Sequence, residues 1–236
     1  VLAVDSAGNV IAAWVGCAGA IAVNANRFTL AGGWTSAGLT GIGSSDWGIS
    51  KPGLAIDSAG NALVVAAAGV DGGPRRIRAS RFIVDAGWDA GWQPGVALED
   101  GSVNTNEPVV AFDQTGNAFA AWQAITDDGY KSVMAARATG DGGLTWGIET
   151  TLDDAWVLSP PEVVVSTMGV VCILWLEWPL RFLMSRYDGS TGWGSPVELF
   201  SSGAMPTAGK VARMPDGRIL VAWDEAGVLR VGYLTP

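Results

Sequence analysis

The stretch LAVDSAGNVIAAW, residues 2–14, decides the fold because the chain writes it five times. It returns as LAIDSAGNALVVA (54–66), VAFDQTGNAFAAW (110–122), VVSTMGVVCILW (164–175) and ARMPDGRILVAW (212–223). The turn glycines are Gly8, Gly60, Gly116, Gly169 and Gly217, spaced 52, 56, 53 and 48 residues apart. Six residues beyond each stands Trp14, Ala66, Trp122, Trp175 or Trp223. A period near 50 residues is the signature of a repeat architecture.

Each unit reads as short strands. The first strand ends in a tight Asp-x-x-Gly-Asn turn (Asp5–Asn9, Asp57–Asn61, Asp113–Asn117), where the Asp side chain bonds nearby backbone and Gly supplies positive φ. The second is a continuous apolar run, such as Val10 to Val15 or Val171 to Leu176. A strand apolar on both faces needs cover on both faces, so sheets must stack on sheets. The third carries Arg27-Phe28, Arg81-Phe82, Arg137-Ala138 or Arg186-Tyr187. These arginines follow the repeat, so they read as structural, with stems packed on neighbouring strands and guanidinium groups paired with carboxylates. The fourth begins near Trp34, Trp92 (or Trp88), Trp146 or Trp193, and Pro52, Pro108 and Pro161 mark where new units start.

Four antiparallel strands in about 50 residues make one propeller blade. The expected fold is therefore all-β, a five-bladed β-propeller in one domain, with units 1–52, 53–108, 109–161, 162–209 and 210–236. The fifth unit has length for three strands only and lacks its outer strand. Either residues ahead of Val1 are expected to complete it, or the fifth blade is three-stranded with an exposed edge that favours a partner strand from another chain. An open sandwich, the main competitor, would show alternating polar faces on most strands.

Composition agrees with this and narrows the chemistry. The 33 Gly among 236 residues serve as turn punctuation, and 49% hydrophobic residues exclude a disordered chain. A net charge of −9 excludes a basic nucleic-acid face. The absence of His removes His-based catalysis and His metal sites. Cys17 and Cys172 lie at non-equivalent places in the repeat and read as two unpaired thiols. Val163 to Val165 and Val170 to Leu176 are too short to span a bilayer.

One turn is more specific. Thr139-Gly140-Asp141-Gly142-Gly143-Leu144-Thr145-Trp146 resembles the Asp-box, the bacterial neuraminidase repeat of sialidase-like propellers, and Ser185 to Trp193 carries a weaker version. The resemblance implies a structural role for Thr139, Asp141, Gly143 and Trp146: the Asp caps a hairpin between third and fourth strands, and the Trp packs between strands. It also implies that this turn lies opposite the usual active site. Sialidases need an arginine triad, a Tyr–Glu pair and an acid Asp, and no such set breaks the repeat here.

Function is expected on the irregular loops that join second to third and fourth to first strands. They carry Asp46-Trp47, Asp127-Asp128-Gly129-Tyr130, Asp153-Asp154-Ala155-Trp156, Glu177-Trp178 and Asp224-Glu225. Aromatic faces stack on sugars and neighbouring carboxylates accept hydroxyl hydrogen bonds. The candidate ligand-binding residues are thus Asp46, Trp47, Asp128, Tyr130, Asp154, Trp156, Glu177 and Trp178. The plainer alternative is that these Trp pack under their own loops while the acids are solvated. No cofactor is expected; calcium is the lesser alternative at Asp127/Asp128 or Asp153/Asp154, whose carboxylate oxygens suit a hard cation but form no spaced D-x-D-x-D loop. A carboxylate pair for glycoside hydrolysis would fall at Glu107 and Glu162, at the starts of first strands. The expected function is a non-catalytic, secreted or cell-surface binding module of bacterial type for glycan or protein ligands. The alternatives are an assembly subunit whose fifth blade is completed by another chain, and a sialidase-like glycoside hydrolase.

Overall fold

The computed structural model describes residues 1–17, 21–35, 39–42, 49–69, 74–89, 96–98, 104–126, 129–138, 140, 143, 145–201, 203 and 206–235. Their regular structure is entirely β, in five antiparallel sheets that follow chain order. The first sheet holds Leu2–Val4, Val10–Cys17 and Ile21–Thr29, then a fourth strand in two pieces, Gly33–Trp34 and Leu39–Ile42, both paired with the third. The second repeats this with Gly53–Ile56, Ala62–Ala68, Arg76–Ile83, and the pieces Gly87–Trp88 and Val96–Ala97. The third holds Asn104–Phe112, Ala118–Ile125, Lys131–Ala138 and Thr150–Asp153. The fourth holds Glu162–Val165, Val171–Glu177, Arg181–Asp188, and the pieces Gly192–Trp193 and Val197–Ser201. The fifth has three strands, Pro206–Arg213, Ile219–Glu225 and Val228–Leu234.

The repeated turn explains the first hairpin of the first four sheets. Asp5 Oδ1 accepts the backbone N–H of Ala7 at 2.9 Å and of Asn9 at 2.8 Å, while Oδ2 accepts the Asn9 amide at 2.8 Å. Asp57 and Asp113 repeat the pattern. In the fourth turn the shorter Ser166 does the same with one oxygen, accepting Met168 and Val170 N–H at 3.2 and 3.1 Å. The turn glycine stands at φ +80° in Gly8 and +83° in Gly116, a region L side chains avoid.

Two of the prolines precede first strands directly, Pro52 before Gly53 and Pro161 before Glu162. Pro108 instead lies within Asn104–Phe112, where the ladder slips between Asn106 and Val109. A proline has no N–H to give a ladder, so a bulge accommodates it.

Consecutive sheets are joined by apolar interfaces. Ala13, Val23 and Ala25 of the first meet Val64, Ala66 and Ala68 of the second. Val65, Ala67 and Ile77 of the second meet Ala118, Ala120 and Trp122 of the third. Ala121, Val133 and Ala135 of the third receive Trp175 of the fourth. Leu174 and Met184 of the fourth meet Ile219, Val221 and Trp223 of the fifth. Trp122 is 0% and Trp175 2% exposed, whereas Trp14, at the same place in the repeat, is 47% exposed. Third-strand arginines reach the next sheet: Arg27 lies 5.3 Å from the Phe82 ring centre, and Arg137 5.3 Å from that of Tyr187. Arg81 instead pairs with Asp89 at 3.2 Å.

Cys172 is a free, buried thiol whose pKa burial pushes up to about 11, partly offset by the nearby Arg186 charge. The side chain of Cys17 lies outside the described residues. Among the described residues no helix is long and apolar enough to cross a membrane.

Candidate functional site

Two regions concentrate chemistry. The first is a cavity of about 510 Å³ bordered by first-strand residues of all five sheets, including Leu2, Gly53, Val109, Val163 and Gly209. Its charged lining comprises Lys51, Glu107, Glu162 and Lys210. Glu162 is ion-paired with Lys210 across neighbouring sheets, so it is not a lone carboxylate facing the cavity. Glu107 sits on the proline bulge with φ +49°, a conformation rare for a residue with a side chain.

The second region is the loop face of the third and fourth sheets. The connection between these sheets, 154–161, is stitched to both. Val157 N–H donates to Lys131 O at 3.2 Å, and Leu158 N–H donates to Leu176 O at 2.8 Å. Trp178 N–H donates to Trp156 O at 2.9 Å, and Ser159 Oγ accepts Leu176 N–H at 3.1 Å. The buried Gln123 side chain donates to Ser159 O at 2.9 Å. Backbone that would otherwise wander is thereby held as an extension of the sheets.

On this frame stand three half-exposed aromatic side chains, Tyr130, Trp156 and Trp178. The Tyr130 and Trp156 rings are 5.7 Å apart and inclined at 56°. Trp178 precedes a cis peptide bond to Pro179, in a turn closed by Leu180 N–H donating to Glu177 O at 2.7 Å. Asp154 is exposed, and its Oδ1 accepts the Ser132 hydroxyl at 3.1 Å. Thus Tyr130, Asp154, Trp156 and Trp178 of the expected set share one region of loops.

Glu177 is placed differently. It is 5% exposed, and one Arg181 nitrogen donates to both its oxygens at 2.8 and 3.0 Å. Arg181, the first residue of the third strand, folds back across the turn, so this carboxylate anchors the loop instead of facing outward. Asp153 is likewise engaged: it accepts the Trp175 indole N–H at 2.7 Å and Ala155 N–H at 3.2 Å. Sequence reasoning missed Arg181 and Trp175 as the partners that fix this loop. The signal available was an acid and a base flanking a turn, Glu177 and Arg181. Asp46, Trp47, Asp127 and Asp128 lie outside the described residues.

Of the Asp-box residues, Thr139 and Asp141 lie outside the described residues. Gly143 has φ +93°, and its carbonyl accepts the Trp146 indole N–H at 3.0 Å. Trp146 packs against the interface of the second and third sheets. Among the described residues no group of three or more His, Cys, Asp or Glu side chains is arranged to hold a metal ion.

No protein-family model matches the chain, and no curated protein matches it by sequence. Solved structures do. A Dyadobacter fermentans protein of unknown function superposes with a TM-score of 0.63 at 15% identity, over 99% of this chain and 77% of the other. The Aleuria aurantia lectin, solved with alpha-methyl-L-fucoside, gives 0.61 at 16% identity, over 99% and 72%. An endo-arabinase from Bacteroides thetaiotaomicron gives 0.53 at 14% identity, over 97% and 89%. At these identities the likeness speaks for architecture alone, and that architecture is of the β-propeller kind.

Proposed function

We propose that this chain is a non-catalytic glycan-binding module of five propeller blades, acting outside the cell or at its surface. It takes its ligand on the loop face of the third and fourth sheets. The observation that carries this reading is the exposure of Tyr130, Trp156 and Trp178 on loops tied to two sheets by backbone hydrogen bonds. Large aromatic side chains left half in water on a rigid frame suit a ligand with an apolar face and a polar rim, as a sugar ring has. Asp154 supplies a hydroxyl acceptor beside them. The likeness to a lectin supports the reading at the level of architecture. The Glu162–Lys210 pair in the axial cavity weighs against a hydrolytic carboxylate pair there. The Asp-box reading of 139–146 enters as a structural turn and adds nothing catalytic.

Screening the protein on a glycan array and titrating the best ligand tests this. Trp156→Ala is expected to weaken binding at least tenfold, about 1.4 kcal/mol, with the melting temperature unchanged. Equal affinity in the variant, or no glycan bound at all, overturns the reading.

A second reading is favoured by one observation: the last strand of the fifth sheet, Val228–Leu234, has a partner on one side only among the described residues. Such an edge can accept a strand from another chain and make this an assembly subunit. A strict monomer at all concentrations, with no strand-donating partner recovered, counts against it.

A further inference from the structure

The strongest unassigned surface is not an edge but a pair of faces. Side chains of a strand alternate between faces, so register tells which residues share one. In the first sheet Val4 pairs with Val10, Val10 with Phe28 and Phe28 with Trp34, while Leu2 pairs with Ala12 and Trp14 with Asn24. This is the face that, in each later sheet, grips the preceding one through the repeat position of Ala66, Trp122, Trp175 or Trp223. In the first sheet this face grips no other sheet among the described residues: Leu2 is 71% exposed, and Trp14 and Trp34 are about half exposed.

The fifth sheet shows the complementary lack. Its Ile219, Val221 and Trp223 meet the fourth sheet. The opposite face pairs Leu220 with Tyr233, Ala222 with Val231 and Asp224 with Leu229. By the repeat, Ala222 corresponds to Ala121, which helps seat Trp175 in the third sheet. Yet Leu229 is 71% exposed, and Val231 and Tyr233 stand open beside it. Among the described residues the first and fifth sheets form no interface comparable to the four between consecutive sheets. The molecule thus carries a tryptophan face without a seat and a seat without a tryptophan.

We infer that the space between the fifth and first sheets is the seat of one further antiparallel sheet of this same repeat, contributed by the polypeptide to which these five belong. Every interface seen joins repeats consecutive along the chain, which favours a covalently continuous unit over a separate partner. A single sheet offers both halves of the fit. Its tryptophan enters the Ala222–Val231 face, and its small residues receive Trp14.

The test reads the oxidation rate of individual tryptophans by hydroxyl-radical footprinting and mass spectrometry. In the unmodified chain Trp14 is expected to oxidise at least tenfold faster than Trp122 and Trp175 at every protein concentration. Protection of Trp14 at all concentrations overturns the inference, because the first and fifth sheets then close on each other. Protection that grows with concentration also overturns it, in favour of a second copy. A chain carrying a duplicate of its own residues 104–158 after Pro236 is expected to slow Trp14 oxidation at least tenfold, and an unchanged rate overturns the proposal. Val231→Lys places a charge on the exposed face of the fifth sheet and is expected to leave the melting temperature of the unmodified chain unchanged. In the lengthened chain it restores Trp14 oxidation, and protection that survives Val231→Lys overturns the seat assignment.

Discussion

Asp113 shows how much one side chain contributes to the repeat. Burial alone would raise its pKa, but the Asn117 and Thr115 side chains and their backbone N–H groups bond the charged form and hold it below the ordinary 3.8. A carboxylate whose folded pKa lies below its unfolded value lends stability that is complete above the unfolded value and is lost as pH falls through the folded one. Asp113→Asn is therefore expected to destabilise the chain by about 1–2 kcal/mol at neutral pH, the scale of hydrogen bonds to a charged group. Urea titrations at neutral pH and in progressively stronger acid should show the gap to the parent closing once the pH passes below about 3.8. A gap that persists undiminished at the acid end contradicts the charged-acceptor account. The role of Asp113 is legible in the sequence because the turn is local, spanning five residues. Glu177 was legible only as an acid beside a tryptophan, since its burial depends on Arg181 returning across the turn. Local chemistry reads directly from spacing, whereas the direction of a side chain at a loop depends on what folds back over it.

The second strands carry the same lesson at the scale of elements. Trp14, Trp122 and Trp175 are equivalent in sequence, yet the first is 47% exposed and the others are buried. Their burial is conferred by the neighbouring sheet, so no reading of a single unit distinguishes them. Energetically they must differ. Trp122→Ala removes a side chain enclosed between two sheets and is expected to cost about 3–5 kcal/mol. Trp14→Ala, made where no preceding sheet covers the ring, is expected to cost about 1 kcal/mol or less. Denaturant midpoints of the two variants check this, and comparable losses would mean that Trp14 is covered in solution. The same scale explains the prolines. Pro52 and Pro161 stand before first strands as spacing predicts, but the bulge around Pro108 lets the third sheet begin four residues earlier, at Asn104.

For the molecule as a whole, the succession of five sheets follows from the repeat, and the loop face follows from the irregularity between repeats. What the repeat could not show is that, among the described residues, packing is continuous from the first sheet to the fifth and then interrupted. In an array where each unit is stabilised mainly by its neighbours, units with one neighbour open before units with two. Among the described residues the second, third and fourth sheets are each covered on both faces, whereas the first and fifth are each covered on one. Amide hydrogen exchange followed by mass spectrometry should therefore divide the chain into a slow centre and two fast flanks. Peptides covering Ala62–Ala68, Ala118–Ile125 and Val171–Glu177 are expected to exchange at least 100-fold more slowly than those covering Val10–Cys17 and Val228–Leu234, a gap of about 2.7 kcal/mol in opening free energy by the same logarithmic relation that links affinity to free energy. The loop face bears on the third and fourth sheets, so ligand binding there should slow 154–161 and leave both flanks unchanged. Uniform protection across all five sheets would instead require a ring sealed between the fifth and the first.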